Sequence, residues 1–135
     1  MFSTFVVGVH ESDASKQAAL EARQLARAVN GAHVHLVVAV PNEPVGGLRS
    51  AAPPGRDKAQ AQLDALVQEF AADESQVTTH AIPGKAAEAI VSVAEEVGAD
   101  LIVIGSLGAH HRFRHSVPHD VVRTAPCTVM VVKTV

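Results

Sequence analysis

The sequence contains no tryptophan and no tyrosine, and aromatic residues make up only 3% of its 135 positions. The stacking platforms on which single-stranded nucleic acids rest are therefore missing. An excess of basic charge is missing too. A formal net charge of −3 and a pI near 6.2 leave no electrostatic footprint for nucleic acid. The single cysteine, Cys127, excludes an internal disulfide and fits a reducing cytoplasm. No apolar stretch approaches the roughly 18 residues that a membrane span needs, and no basic region followed by an apolar run opens the chain. Linkers, composition breaks and internal repeats are also lacking. With 47% hydrophobic residues, the chain is expected to fold as one soluble, cytoplasmic domain over residues 1–135.

What is present is a regular alternation of strand and helix patterns. Thr4–His10 reads as a first strand, mostly apolar and rich in β-branched residues. Ser12 is placed to cap the next helix, in which Ala18, Ala22, Leu25 and Val29 recur at helical spacing before the stop signal Asn30-Gly31. His33–Val40 is the second strand, with Val34, Leu36 and Val38 on one face and His33, His35 and Val37 on the other. Pro41–Arg56 holds four prolines and three glycines without periodicity and reads as a long loop. Ala59, Leu63, Leu66, Val67 and Phe70 mark a second amphipathic helix ending about Ala72. Gln76–Ile82 is a weaker, alternately polar strand suited to a sheet edge. A third helix turns Ala87, Ile90, Val91, Ala94 and Val97 inward and closes at Gly98. Asp100–Gly105 is the fourth strand, Val117–Thr124 a short helix stopped by Ala125-Pro126, and Cys127–Lys133 the fifth strand.

Five strands alternating with four helices imply a doubly wound parallel α/β sheet with helices on both faces, because parallel neighbours need right-handed crossovers. The expected order is 3-2-1-4-5. The switch point then lies between the first and fourth strands, and ligands sit at the carboxyl ends there. On one side stands Val9-His10-Glu11-Ser12. On the other, the buried-type run Leu101-Ile102-Val103-Ile104 stops at Gly105 and Gly108. An irregular His/Arg-rich segment follows, and Ser116 and Pro118 signal a helix start. A strand, a glycine loop and a helix N-terminus gather unpaired N–H groups at one spot, the arrangement that receives phosphate.

At these residues the chain resembles the universal stress proteins. The resemblance covers nearly the whole length and rests on four segments. They are Val6–Ala26, Gly84-Lys85-Ala86-Ala87-Glu88-Ala89-Ile90, the run Gly98–Gly108, and Ala125-Pro126-Cys127 before a Val-rich last strand. It implies a small α/β domain of this strand order that forms a homodimer through the last strand and binds ATP, AMP or cyclic AMP, with Mg²⁺ accompanying ATP. Nucleotide-binding members share a pattern of Gly, two residues, Gly, nine residues, then Gly-Ser/Thr. Gly105 and Gly108 match its first half. Only Ala109 through Arg114 separate Gly108 from His115, which stands where the later Gly is expected, while Ser116 and Val117 match the hydroxyl and the following amide. The loop is three residues shorter than the pattern. His10 stands where binders usually carry Asp, and Ala39 where the family places an apolar residue beside adenine. The resemblance thus sets adenine near Gly8, His10 and Ala39, and phosphates near Gly105, Gly108, Ser116 and Val117. Val9, Leu107 and His115 complete the set.

Competing readings of the same residues are blander. His110, His111, His115 and His119 lie within ten residues, but they lack the Cys or carboxylate partners of zinc sites, so solvated histidines explain them and no metal is assigned. Cys127 reads as a small buried residue and Ser12 as a helix cap. No Walker loop, dinucleotide fingerprint or acid–base pair is present, which leaves catalysis unsupported. The sequence therefore points to a stress-response regulator that acts by binding adenine nucleotide. The alternatives are a nucleotide-independent interaction protein with a degenerate pocket, or a His-based site responsive to metal or pH. Nucleic acid and membrane are excluded as partners on composition.

Overall fold

The computed structural model describes residues 2–9, 13–40, 56–71, 76–106 and 117–133. In chain order these form β1 (Thr4–Val9), α1 (Asp13–Val29), β2 (His33–Val40), α2 (Arg56–Ala71), β3 (Gln76–Pro83), α3 (Ala86–Val97), β4 (Leu101–Ser106), α4 (Val117–Thr124) and β5 (Thr128–Lys133). The strands make one sheet in the order β3-β2-β1-β4-β5, and every neighbouring pair is parallel. Five parallel strands in this order, with four helices as crossovers, are the architecture that the alternating pattern requires.

Each face of the sheet buries its own apolar set. On one, Phe5, Val7, Val34, Leu36, Leu101 and Val103 pack under Ala18, Ala22 and Ala26 of α1 and Leu63 and Phe70 of α2. On the other, Val6, Val37, Ile102 and Ile104 pack under Ala89, Ile90, Val93 and Ala94 of α3 and Val121 of α4. Period-two alternation along each strand divides its residues between these two cores. The small side chains on α1 let its axis approach the sheet closely. Ser15, also buried, continues that line of small residues to the first turn.

Several boundaries differ from the sequence reading for local reasons. Asp100 lies outside β4 because its carboxylate accepts from the Ser3 amide at 3.1 and 2.9 Å, the Ser3 hydroxyl at 3.1 Å and the Thr4 amide at 3.0 Å. These bonds tie the start of β1 to the start of β4 at the amino end of the sheet. Cys127 precedes β5 and is half-buried instead of buried. In α3 the buried positions are Ala89, Ile90, Val91, Val93 and Ala94, while Ala87 and Val97 sit at the rim. The two stop signals operate as read. Asn30 takes φ 50°. Gly98 takes φ 65°, ψ 43°, with its N–H turned to Glu95 O and that of Ala99 to Ala94 O, the paired bonds of a Schellman cap. The loop reading of Pro41–Arg56 falls outside the described residues up to position 55; Arg56 opens α2.

Candidate functional site

The carboxyl ends of the strands hold the feature that matters most. The β1–β2 ladder runs from Thr4↔His33 to Val9↔Val38, and the β4–β5 ladder from Leu101↔Thr128 to Ser106↔Lys133. Between them, β1 and β4 pair only from Phe5↔Leu101 to Val7↔Val103. The β1–β4 pairing ends at Val7 and Val103, while each strand continues beside its outer neighbour. Where strand order reverses in this way, the strand ends border a crevice.

Five of the residues expected at this site are described. Gly8 and Val9 form the end of β1, Ala39 lies near the end of β2, Gly105 near the end of β4, and Val117 opens α4. Their surroundings differ. Val9 is buried and turns into the core under α1 and α2. Gly8 faces the opposite core, where a Cβ would meet Ile90 Cδ1 at 2.7 Å and Ile104 Cγ2 at 3.1 Å. The absence of a side chain there lets α3 settle onto the sheet, a packing role independent of any ligand. The Gly8 carbonyl also accepts from the buried Ser15 hydroxyl at 3.5 Å, which joins the end of β1 to the first turn of α1. Ala39 and Gly105 are half-buried, and Val117 is exposed. His10, Leu107, Gly108, His115 and Ser116 lie outside the described residues.

Each of the four helices follows a strand of the all-parallel sheet, so all four start on this side of it, with their positive ends toward it. A groove of about 660 Å³ runs between α3 and α4, lined in part by Lys85, Glu88, Glu95, Val117, Asp120 and Arg123, so it reaches one of the expected site residues. Three carboxylates against two cations do not make an anion-selective lining. Among the described residues no group of three His, Cys, Asp or Glu side chains is arranged to hold a metal. Of the four clustered histidines, only His119 is described.

The sequence reading missed two buried polar residues. Ser15 was visible only as a member of the small-residue line it shares with Ala18, Ala22 and Ala26. His35 is 6% exposed and its Nδ1 lies 3.0 Å from His80 Nε2. The alternation of β2 put His35 on the right face, but the β2–β3 register needed to bring His80 beside it is not written in either strand.

An open parallel α/β fold whose crevice lies at the reversal of strand order defines a class of ligand-binding domain. Within that class the chain belongs to the universal stress protein family, whose model matches residues 1–133. Solved structures of that family superpose over nearly the whole chain. One universal stress protein, in complex with cAMP, is 29% identical with a TM-score of 0.79, covering 99% of this chain and 98% of its own. Another, from Archaeoglobus fulgidus in complex with dAMP, is 26% identical with a TM-score of 0.74 and 98% coverage of both chains. The protein UspA from Lactobacillus plantarum is 25% identical with a TM-score of 0.71 and 97% coverage of both.

Proposed function

We propose that this protein is a stress-response regulator that acts by binding an adenine nucleotide in the crevice between β1 and β4. The observation that carries the reading is the end of β1–β4 pairing at Val7 and Val103, where the strand order reverses. The nucleotides held by the relatives, cAMP and dAMP, support it. In this reading Gly8, Val9, His10 and Ala39 border the adenosine. Gly105, Leu107, Gly108, His115, Ser116 and Val117 surround the phosphates. The segment between Gly108 and His115 is three residues shorter than the family pattern, so fewer amides are available to wrap a triphosphate. AMP and cyclic AMP are accordingly favoured over ATP with Mg²⁺. Bound nucleotide would order the crevice and alter a partner-facing surface of a homodimer, without turnover.

The test is calorimetric titration of the ligand-stripped protein with ATP, AMP and cyclic AMP, with and without Mg²⁺. Micromolar affinity for a monophosphate or cyclic nucleotide, lost in Gly108→Val, is the expected result. No heat and no thermal shift at millimolar nucleotide would overturn the reading. A second reading, an interaction protein that needs no nucleotide, is favoured by the same short segment and by His115 at the position of a backbone-exposing glycine. Under it, partner capture persists in Gly108→Val.

A further inference from the structure

Away from the crevice, the face of the sheet under α3 carries a histidine cluster. In the register of β2 and β3, His33 pairs with Gln76, His35 with Thr78 and Val37 with His80. All six side chains share the face that holds Val37. His33 and His35 stack, with ring centroids 4.3 Å apart and planes 20° from parallel. The His35 and His80 rings are tilted at 36° with centroids 5.2 Å apart, and His35 Nδ1 lies 3.0 Å from His80 Nε2. His33 Nε2 in turn lies 2.8 Å from the Thr78 hydroxyl. These side-chain links join β2 to β3, and among the described residues β3 is an edge strand whose sole strand neighbour is β2.

We propose that His33, His35 and His80 form a proton-operated lock on β3, closed while the rings are neutral and released when acid charges His35.

The chemistry of the pair requires this sign. Two neutral rings with nitrogens 3.0 Å apart share one proton, one ring donating and the other accepting. Protonating the accepting nitrogen sets two N–H groups against each other. Where His35 is the donor, protonating it at its far nitrogen keeps the bond but leaves a cation in a buried position. The rim of the cluster is less confined. There the hydroxyl of Thr78 beside His33 can reverse its role, and His80 feels the Glu96 carboxylate of α3. His35 has no such relief. Its facing groups are His33 on its own strand, Thr78 and His80 on β3 and Glu96 beyond His80, while β1 (Thr4–Val9) carries no titratable side chain. Burial, then the neighbouring His33 and His80, push the His35 imidazole down to about 4. His80 is also lowered, first by burial, with Glu96 opposing. Opening β3 returns His35 to water and to its ordinary proton affinity, so protons favour the open state between about pH 6.5 and 4.

Amide hydrogen exchange on the full chain, corrected for intrinsic rates, tests the lock. Between pH 7 and pH 4.5, protection of the β3 amides is expected to fall on the order of 50-fold relative to β4. His35→Phe keeps the stack and cannot take a proton, so it should lose most of that fall. If it does not fold, His80→Gln, which preserves a partner for His35 Nδ1 and removes one like charge, should reduce it. Independently of either variant, imidazole ¹⁵N shifts of the unaltered protein should show His35 neutral at pH 6. Parallel loss of protection in β3 and β4, an unchanged fall in the variants that fold, or His35 charged at pH 6 with β3 still protected would each overturn the proposal.

Discussion

At the scale of the residue, Gly8 shows how one position can be read for a ligand and yet be required for packing. A β-carbon there would stand 2.7 Å from Ile90 Cδ1, closer than such atoms approach, and 3.1 Å from Ile104 Cγ2. The first obstacle is the end of a flexible side chain, so Gly8→Ala can be relieved by a rotation of Ile90. The second lies on a central strand and gives less. Gly8→Ala is therefore expected to cost about 1 kcal/mol and Gly8→Val about 3 kcal/mol, in the range for overpacked cores. Urea unfolding checks both, as a shift in midpoint at constant slope. If Gly8→Val were as stable as the parent, α3 would not rest on β1 as described. The consequence for function is practical. A binding defect in a Gly8 variant does not by itself place nucleotide at Gly8, and stability has to be measured beside affinity.

At the scale of the element, what the sequence disclosed follows from what each element is used for. The bounds of β2 and α4 were legible because hydrophobic alternation and a proline-marked start state them outright. The burial of α3 was legible in part. Ile90, Val91 and Ala94 are buried as read, Ala89 and Val93 join them, and Ala87 and Val97 pack at the rim, because small alanines give little contrast from which to fix the centre of a stripe. Asp100 looked like strand because the run after it is strand, yet its carboxylate is taken up by Ser3 and Thr4, residues nearly a hundred positions away. The crevice was legible as a switch point, since the expected order 3-2-1-4-5 places a reversal between the first and fourth strands. The end of β1–β4 pairing at Val7 and Val103 was not, because backbone register leaves no local trace. The edges make the same contrast. β3 exposes Gln76, Thr78 and Thr79 along its length, whereas β5 presents Val129, Met130, Val131 and Val132 half-buried. An apolar edge strand invites pairing with another chain, so a homodimer joined through β5 is the expected assembly. Light scattering at tens of micromolar should return twice 14.1 kDa, and a monomer mass across that range would refute the assignment.

At the scale of the whole molecule, His35, His80 and Asp100 bear on acid stability, and their signs agree. His35 is lowered from 6.5 to about 4, by burial first and by its histidine neighbours second. The folded chain thus binds its proton less readily than the unfolded chain. The stabilisation is complete above about pH 6.5, declines as the pH falls, and is gone below about 4. Asp100 behaves as a depressed carboxylate. Burial opposes its ionisation, but hydrogen bonds from Ser3 and Thr4 outweigh burial and hold it below its ordinary 3.8. Its contribution is present above that value and fades only at lower pH. The two groups therefore act in succession, the histidine cluster between pH 6.5 and 4 and the carboxylate beneath. Over the first interval the loss is of order 2 kcal/mol, less than full withdrawal of the ring from water would give, because β3 lies at the sheet edge near solvent. Thermal or urea unfolding followed from pH 7.5 to 3 should show a decline beginning near pH 6.5. His35→Phe should flatten that decline above pH 4 and leave the deeper acid limb intact. A flat profile down to pH 4 in the unaltered protein would mean that His35 keeps an ordinary proton affinity, and that its contact with His80 does not depend on both rings being neutral.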